Sequence, residues 1–145
     1  MKQFDLINAP LYGANLIEAG AGTGKTYTIE SLFIRLIIEK KLTVDQILVV
    51  TFTKAATEEL KDRIRNKLVK AKEAFVKAES SDRLIGSLLE KYDDHLLAQE
   101  LINNALINFN EASIFTIHGF CARILSDNSF ETGSLFDTEL VTDQA

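Results

Sequence analysis

The sequence predicts an α/β fold, with a parallel sheet present in part and interrupted by a helical insertion. Three observations predict it. The short apolar run Leu16-Ile17-Glu18 leads straight into a glycine-rich turn, as a buried strand would. The continuous, partly β-branched run Ile47-Leu48-Val49-Val50 suits a strand covered on both faces. Ser113-Ile114-Phe115-Thr116-Ile117 returns to strand character after a long helical stretch.

Between the first two runs, Ile29, Leu32, Phe33, Leu36 and Ile37 fall at i, i+3, i+4, i+7 and i+8. That spacing makes one face of an amphipathic helix reaching to about Lys41. Lys40 and Lys41 suit its C-terminal end, where the helix dipole is negative. Strand, helix and strand in this order predict a right-handed βαβ unit. Residues 54–79 contain no Gly or Pro, and Leu60, Ile64, Leu68, Ala71 and Phe75 repeat every three or four positions. A helix of up to about 26 residues spans roughly 39 Å, so its far end is expected to leave the sheet. Two further helical segments, 82–92 and 93–108, complete what reads as an insertion rather than another βα repeat. After the third strand, His118 to Leu125 predicts a helix and Phe136 to Val141 a short strand or extended tail.

Composition bounds the possibilities. The 145 residues suffice for one domain or a large piece of one, and 46% hydrophobic residues can build a core. One proline and seven glycines leave little room for flexible linkers. The single cysteine, Cys121, excludes an intramolecular disulfide and a multi-cysteine metal site. The start MKQFDLINAP lacks the apolar run of a signal peptide, and no stretch of about 18 apolar residues exists to span a membrane. A cytoplasmic location is therefore expected. Net charge is −5, yet residues 54–77 carry eight basic side chains against four acidic ones. From Asp127 onward there are five acids and no Lys or Arg. A basic stripe on an acidic body is compatible with nucleic acid, but charge alone favours a solvated helix face.

The most specific chemistry lies in Ala19-Gly20-Ala21-Gly22-Thr23-Gly24-Lys25-Thr26, which fits G-x-x-x-x-G-K-[ST] except that Ala19 replaces the first glycine. Gly22 and Gly24 let the backbone curl so that successive N–H groups point at phosphate oxygens. The helix that follows offers its N-terminal dipole to the same anion. Lys25 is then expected at the β- and γ-phosphates as the catalytic cation, with Thr26 giving its hydroxyl to Mg²⁺. ATP and Mg²⁺ are the implied cofactors. The ring of Tyr27, directly after the loop, could stack on the base or simply pack.

Two later segments narrow the class. The second strand runs through Thr51, Phe52, Thr53 and Lys54 into a helix, placing backbone N–H groups and Thr53 at the carboxyl edge of the sheet. That edge is where α/β proteins bind ligands, and a DNA phosphate fits there as a nucleotide phosphate does. Phe52 could stack on a base, although a strand phenylalanine is more often core. The third strand repeats the arrangement with Thr116, His118 and Phe120.

Together these segments resemble a known family. AGAGTGKT is similar to motif I of superfamily 1 helicases, VTFTKAATEELKDRI to motif Ia, and FTIHGFCARIL to motif Ib with its adjoining helix. Order and spacing resemble the UvrD/Rep-like helicases, and the wording is most similar to the RecB-type beta subunits of exodeoxyribonuclease V. LIEA before the loop, PLYG (Pro10 to Gly13) and FETGSLFDTEL (Phe130 to Leu140) also look like that type. The resemblance covers essentially the whole chain, leaving only the stretch from about 66 to 110 without a motif.

The resemblance implies a P-loop (RecA-like) fold and an ATP-driven translocase on single-stranded DNA that acts in double-strand break repair and recombination. It implies a DNA path along Phe52, Thr53, Lys54, Thr116, His118 and Phe120, and a phosphate site over Ala19–Thr26 and Tyr27. The alpha and gamma subunits of exodeoxyribonuclease V are the implied partners. Residues 1–65 would form the first part of motor domain 1A, 66–110 part of the helical 1B insertion, and 111–145 the return to 1A. Two departures stand out. Pro-Leu-Tyr-Gly-Ala-Asn occupies the place of the adenine-reading glutamine motif, and Ala55 stands where motif Ia tends to have lysine.

A P-loop motor also needs an acidic strand end to hold Mg²⁺ and to orient water. No apolar strand ending in Asp-Glu occurs here, and the nearest candidate, Lys91-Tyr92-Asp93-Asp94, lies in a polar helical stretch. The chain therefore reads as the ATP-binding N-terminal segment of a helicase–nuclease subunit, inactive in hydrolysis alone. The other readings are a UvrD-like helicase without a nuclease and a stand-alone nucleotide-binding module.

Overall fold

The structure is a computed structural model, and it describes residues 3–128. In chain order it contains α1 (Lys25–Lys40), β1 (Leu48–Thr51), α2 (Lys54–Lys77), α3 (Arg83–Lys91), α4 (His95–Ile107), β2 (Ser113–Thr116) and α5 (Ile117–Asp127). Short 3-10 turns, Val44–Gln46 and Phe109–Glu111, precede the two strands.

The strands pair in parallel, with Leu48 opposite Ser113 and Thr51 opposite Thr116. A parallel pair needs a long crossover, and α2, α3 and α4 supply it. The βαβ unit thus runs from β1 to β2, and not from residues 16–18 to β1 as periodicity suggested. Leu16-Ile17-Glu18 forms no strand, and Leu16 is 90% exposed. An apolar run becomes a strand only through a ladder partner, and among the described residues the sheet contains β1 and β2 alone.

The double covering expected of β1 is also absent. Val49 packs on the core, whereas Leu48 and Val50 on the opposite face are exposed. Among the described residues, helices close on one side of this strand. Ile114 of β2, opposite Val49, is fully buried.

The long helix α2 organises the rest. Leu60, Ile64, Leu68, Ala71 and Phe75 are all buried, as their spacing predicts. At 24 residues it is about 36 Å long and outruns four-residue strands of about 13 Å. Its far half lies against α4, where Lys72 Nζ donates to Asn103 Oδ1 at 2.7 Å and Gln99 Nε2 to the Phe75 carbonyl at 3.1 Å. One core cluster joins Phe33, Ile34 and Ile37 of α1 to Leu68 and Phe75 of α2, Leu88 of α3, Ile102 of α4 and Ile114.

On α1 the buried stripe is rotated from the expected one. Phe33 and Ile37 are buried, Leu32 and Leu36 half-buried, and Ile29 exposed. Ile34 and Ile38 join the core instead. The cause is that α1 packs against both α2 and α4, which widens its covered face.

Before α1 the chain makes a tight turn in which the Asp5 carboxylate accepts from the Ile7 and Asn8 N–H groups at 3.0 and 3.2 Å. Arg35 holds this turn down. Its Nη1 donates to the Leu6 and Ala9 carbonyls at 3.0 and 2.8 Å, while Nε and Nη2 grip Glu39 at 2.8 and 3.1 Å. The expected element over Phe136 to Val141 lies outside the described residues.

Candidate nucleotide and DNA site

The loop Ala19–Thr26 folds as a turn running into a helix. Gly22 and Gly24 adopt φ of 74° and 86°, the left-handed region that favours glycine. A Cβ at either position would meet nothing within 4 Å, so the backbone lies open on that side. Thr23 folds back, its N–H donating to the Gly20 carbonyl at 3.3 Å and its hydroxyl to the same oxygen. Gly24 precedes α1 without a side-chain cap. The N–H groups of Lys25, Thr26 and Tyr27 therefore have no intrahelical acceptor, and Thr28 is the first to bond back, to Gly24, at 2.9 Å.

Lys25 is exposed and Thr26 half-buried at the start of α1. An open glycine turn, uncapped N–H groups and an adjacent cation fit a polyphosphate. Mg²⁺ bound with a triphosphate keeps waters and phosphate oxygens and takes few protein ligands. The Thr26 hydroxyl is the donor this turn offers it.

Tyr27 has a different surrounding from the one its sequence position suggests. Its hydroxyl donates to Asp82 Oδ1 at 3.1 Å, and the Lys67 ammonium sits 3.5 Å from its ring centroid. One ring face is thereby occupied by α2. Burial, then the Asp82 carboxylate, raises the Tyr27 hydroxyl above its usual 10.0.

Lys67 belongs to the basic stretch 54–77, yet it is only 4% exposed. Its Nζ donates to Ser31 Oγ at 2.8 Å and lies 3.4 Å from Asp82 Oδ2. Burial lowers it below its ordinary 10.5, opposed by Asp82. Asp82 also caps α3 by accepting from the Leu84 and Ile85 N–H groups. Burial pushes its carboxyl up, but the Ile85 N–H, Lys67 and Tyr27 outweigh this and leave it below 3.8. Lys67, Ser31 and Asp82 were not foreseen as a group. Only the small Ser31, one turn after Tyr27 on α1, hinted at a buried polar contact.

The rest of the basic stripe is divided. Arg63 pairs with Glu59 at 3.0 Å and Glu30 at 3.6 Å, and Lys61 with Glu58 at 3.2 Å. Lys54, Arg65, Lys70 and Lys77 are exposed.

The ladder does bring the two later segments together. Thr53 caps α2, its Oγ1 accepting from the Ala56 N–H at 3.1 Å. Thr116 caps α5 in the same way, accepting from Gly119 at 3.0 Å. Since Thr51 and Thr116 are register partners, both caps stand at the carboxyl end of one sheet. Each hydroxyl keeps its own proton to donate outward. Phe52 is 86% exposed at this edge, outside the core. Lys54 and His118 are exposed beside it. Phe120 instead stacks on Phe115, with centroids 6.5 Å apart, and Arg123 lies 5.2 Å from the Phe115 ring. No hydrogen bond among the described residues joins the glycine loop to this edge.

The sequence Lys91–Asp94 ends α3 and caps α4, Asp94 Oδ1 accepting from Leu97 at 2.9 Å. It is a helix junction and not a strand end. No group of three or more His, Cys, Asp or Glu able to hold a metal ion occurs among the described residues. Nor is any helix among them long and apolar enough to cross a membrane.

Residues 1–144 match the family described as UvrD/REP helicase N-terminal domain. The chain is 43% identical to the RecBCD enzyme subunit RecB of Escherichia coli over 99% of its length. It is 42% identical to the RecB subunit of Haemophilus influenzae over 96% of its length, and 35% identical to that of Mycobacterium tuberculosis over 97%. It spans 13% of the length of each of these curated relatives. Both the family match and these identities run across the glycine loop and the two threonine-capped edges, and the chain belongs to the UvrD/REP helicase N-terminal domain family.

Proposed function

We propose that this chain is the ATP-binding segment of a RecB-type DNA helicase, working within a longer motor that moves along single-stranded DNA. Residues 1–65 and 111–145 would belong to motor domain 1A, with 66–110 beginning the helical 1B insertion. Ala19–Thr26 cradles the triphosphate, Lys25 meets the β- and γ-phosphates, and Thr26 reaches Mg²⁺. Bound Mg²⁺ would supply charge neutralisation on the phosphates. The single strand would lie across Phe52, Thr53, Lys54, Thr116 and His118, its phosphates meeting the threonine hydroxyls and uncapped N–H groups. Phe52, exposed and aromatic, suits base stacking. Phe120 would act through Phe115, which it already stacks against.

The observation that carries this reading is the pair of threonine-capped helices at neighbouring parallel strand ends, in a chain that also holds the glycine loop. The relatives' name, RecBCD enzyme subunit RecB, supports a role beside further subunits, and the family resemblance suggests that this role lies in break repair and recombination. The sequence contains no apolar strand ending in Asp-Glu, so hydrolysis would need carboxylates from elsewhere in the motor.

The test is ATP hydrolysis by the longer motor polypeptide that carries this segment, with and without oligo(dT). Strong stimulation by the single strand, lost in Lys25→Ala, is expected. Hydrolysis indifferent to DNA would overturn the DNA part of the reading, and hydrolysis indifferent to Lys25 would overturn the nucleotide part.

A further inference from the structure

The glycine loop is braced internally by Thr23 on the Gly20 carbonyl, but nothing packs beside its left-handed glycines. No atom stands within 4 Å of where a Cβ would project at Gly22 or Gly24, and Gly24 lends α1 no side-chain cap. The placement of Lys25 and Thr26 is therefore inherited from the first turns of α1. Those turns are fixed by polar contacts as much as by apolar ones. Ser31 is fully buried and Tyr27 partly so, and both meet one ammonium, that of Lys67 on α2. The same ammonium lies against Asp82, which binds the Tyr27 hydroxyl and caps α3. Three helices thus converge on one buried cation, which meets α1 first at Tyr27, two residues after Lys25.

A lysine is a costly way to fill such a place. Its removal from water is unfavourable unless every partner is present, and here every buried side-chain polar atom among the described residues has one. An apolar residue would hold α1 against α2 without fixing its rotation. A cation with a hydroxyl, a carboxylate and a ring face around it admits one geometry.

We infer that Lys67 is a positioning residue for the phosphate site, setting the rotation and height of α1 so that Lys25 and Thr26 face the nucleotide. This rests on the nucleotide reading proposed above. Lys67 touches no phosphate in this role; it acts through Tyr27 and Ser31. It also stands 14 positions beyond the Thr53 cap, roughly 21 Å along α2, so it should not govern the DNA edge.

The experiment measures binding of a fluorescent ATP analogue with Mg²⁺, and of labelled oligo(dT) without nucleotide, to the intact polypeptide. Lys67→Met is expected to weaken nucleotide binding roughly tenfold or more, since a misplacement of about 1 Å near a reacting group can cost about a hundredfold. Oligo(dT) affinity should stay within about twofold. Ser31→Ala, a mild change inside a helix, should weaken nucleotide binding in the same direction by roughly threefold to fivefold, as loss of one hydrogen bond does. If Lys67→Met does not fold, Ser31→Ala decides alone. Wild-type nucleotide affinity in the folded variants overturns the proposal, as does an equal loss of nucleotide and DNA binding, which marks a general structural role. Failure of the underlying nucleotide reading looks different: the wild type itself would then bind the analogue no better than Lys25→Ala.

Discussion

Thr53 and Thr116 occupy equivalent posts at the ends of two neighbouring parallel strands. Each accepts the N–H of the residue three positions on, from Ala56 at 3.1 Å and from Gly119 at 3.0 Å. Each therefore stabilises a helix start while standing at the edge proposed for DNA. Structural and binding roles can be separated because serine keeps the cap and alanine removes it. Thr53→Ala or Thr116→Ala should cost about 1 kcal/mol in urea denaturation and weaken oligo(dT) binding. Thr53→Ser should restore both. Oligo(dT) affinity unchanged in both alanine variants would remove these hydroxyls from the DNA path.

Arg35 is buried, and four acceptors surround its guanidinium: two carboxylate oxygens of Glu39 and the carbonyls of Leu6 and Ala9. Removing it strands Glu39 and releases the segment before the phosphate loop. Arg35→Met should destabilise the protein by about 3 kcal/mol, the lower end for breaking a buried ion pair, because Lys91 lies 3.7 Å from Glu39 and offsets part of the loss. Hydrogen exchange should accelerate first over residues 6–9. Uniform acceleration instead would mean that Arg35 serves the core and not this segment.

Asp82 gives the fold a defined acid response. Its carboxyl titrates below 3.8 in the folded protein, so the unfolded chain binds its proton first as pH falls. Its contribution is present above 3.8 and disappears as pH drops through the lower folded value. Asp82→Asn keeps an oxygen for the α3 cap but not the charge. Urea titrations should show a stability gap between wild type and Asp82→Asn at neutral pH that narrows below about 3.8. A gap constant across that range would mean that the ionised form is not what matters.

These residues also mark where reading the sequence stops. Periodicity gave α1 and α2 nearly to the residue, because long amphipathic spacing is a local property. It also gave the turn, since glycines before Lys-Thr admit few conformations. It missed that Leu16–Glu18 finds no strand partner among the described residues, because pairing is decided by residues far away. It left Phe52 between base stacking and the core; β1 ends one residue earlier and leaves the ring in solvent. Lys67 reads as part of a solvated basic stripe for the same reason: only the approach of α3 buries it, as the Asp5 turn buries Arg35.

Two helices end on residues that pay a backbone strain (α1 at Lys41 and α2 at Ala78), with φ of 55° and 58°. The left-handed region costs a residue with a Cβ about 1 kcal/mol or somewhat more, and glycine escapes it. Ala78→Gly should therefore stabilise the protein by roughly 1 kcal/mol, reversing the usual penalty for introducing glycine. A loss of stability in urea denaturation would mean that the Ala78 methyl group packs more usefully than its backbone is strained.

The phosphate loop offers the sharpest contrast between positions. Gly20 has no left-handed φ, and a Cβ there would rest 3.7 Å from Thr23 Cγ2, an ordinary contact. Gly24 has φ of 86° and open space around the missing Cβ. Alanine at Gly24 therefore meets no neighbour but must adopt a left-handed backbone, at a cost of about 1–2 kcal/mol, or pull the loop out of shape. Gly20→Ala should leave stability and binding of the fluorescent ATP analogue close to wild type. Gly24→Ala should lose much of the binding, because the cost falls on the residue that presents Lys25. Equal losses in the two variants would point to a ligand filling the space beside both glycines, and would shift the cause from backbone conformation to direct steric contact.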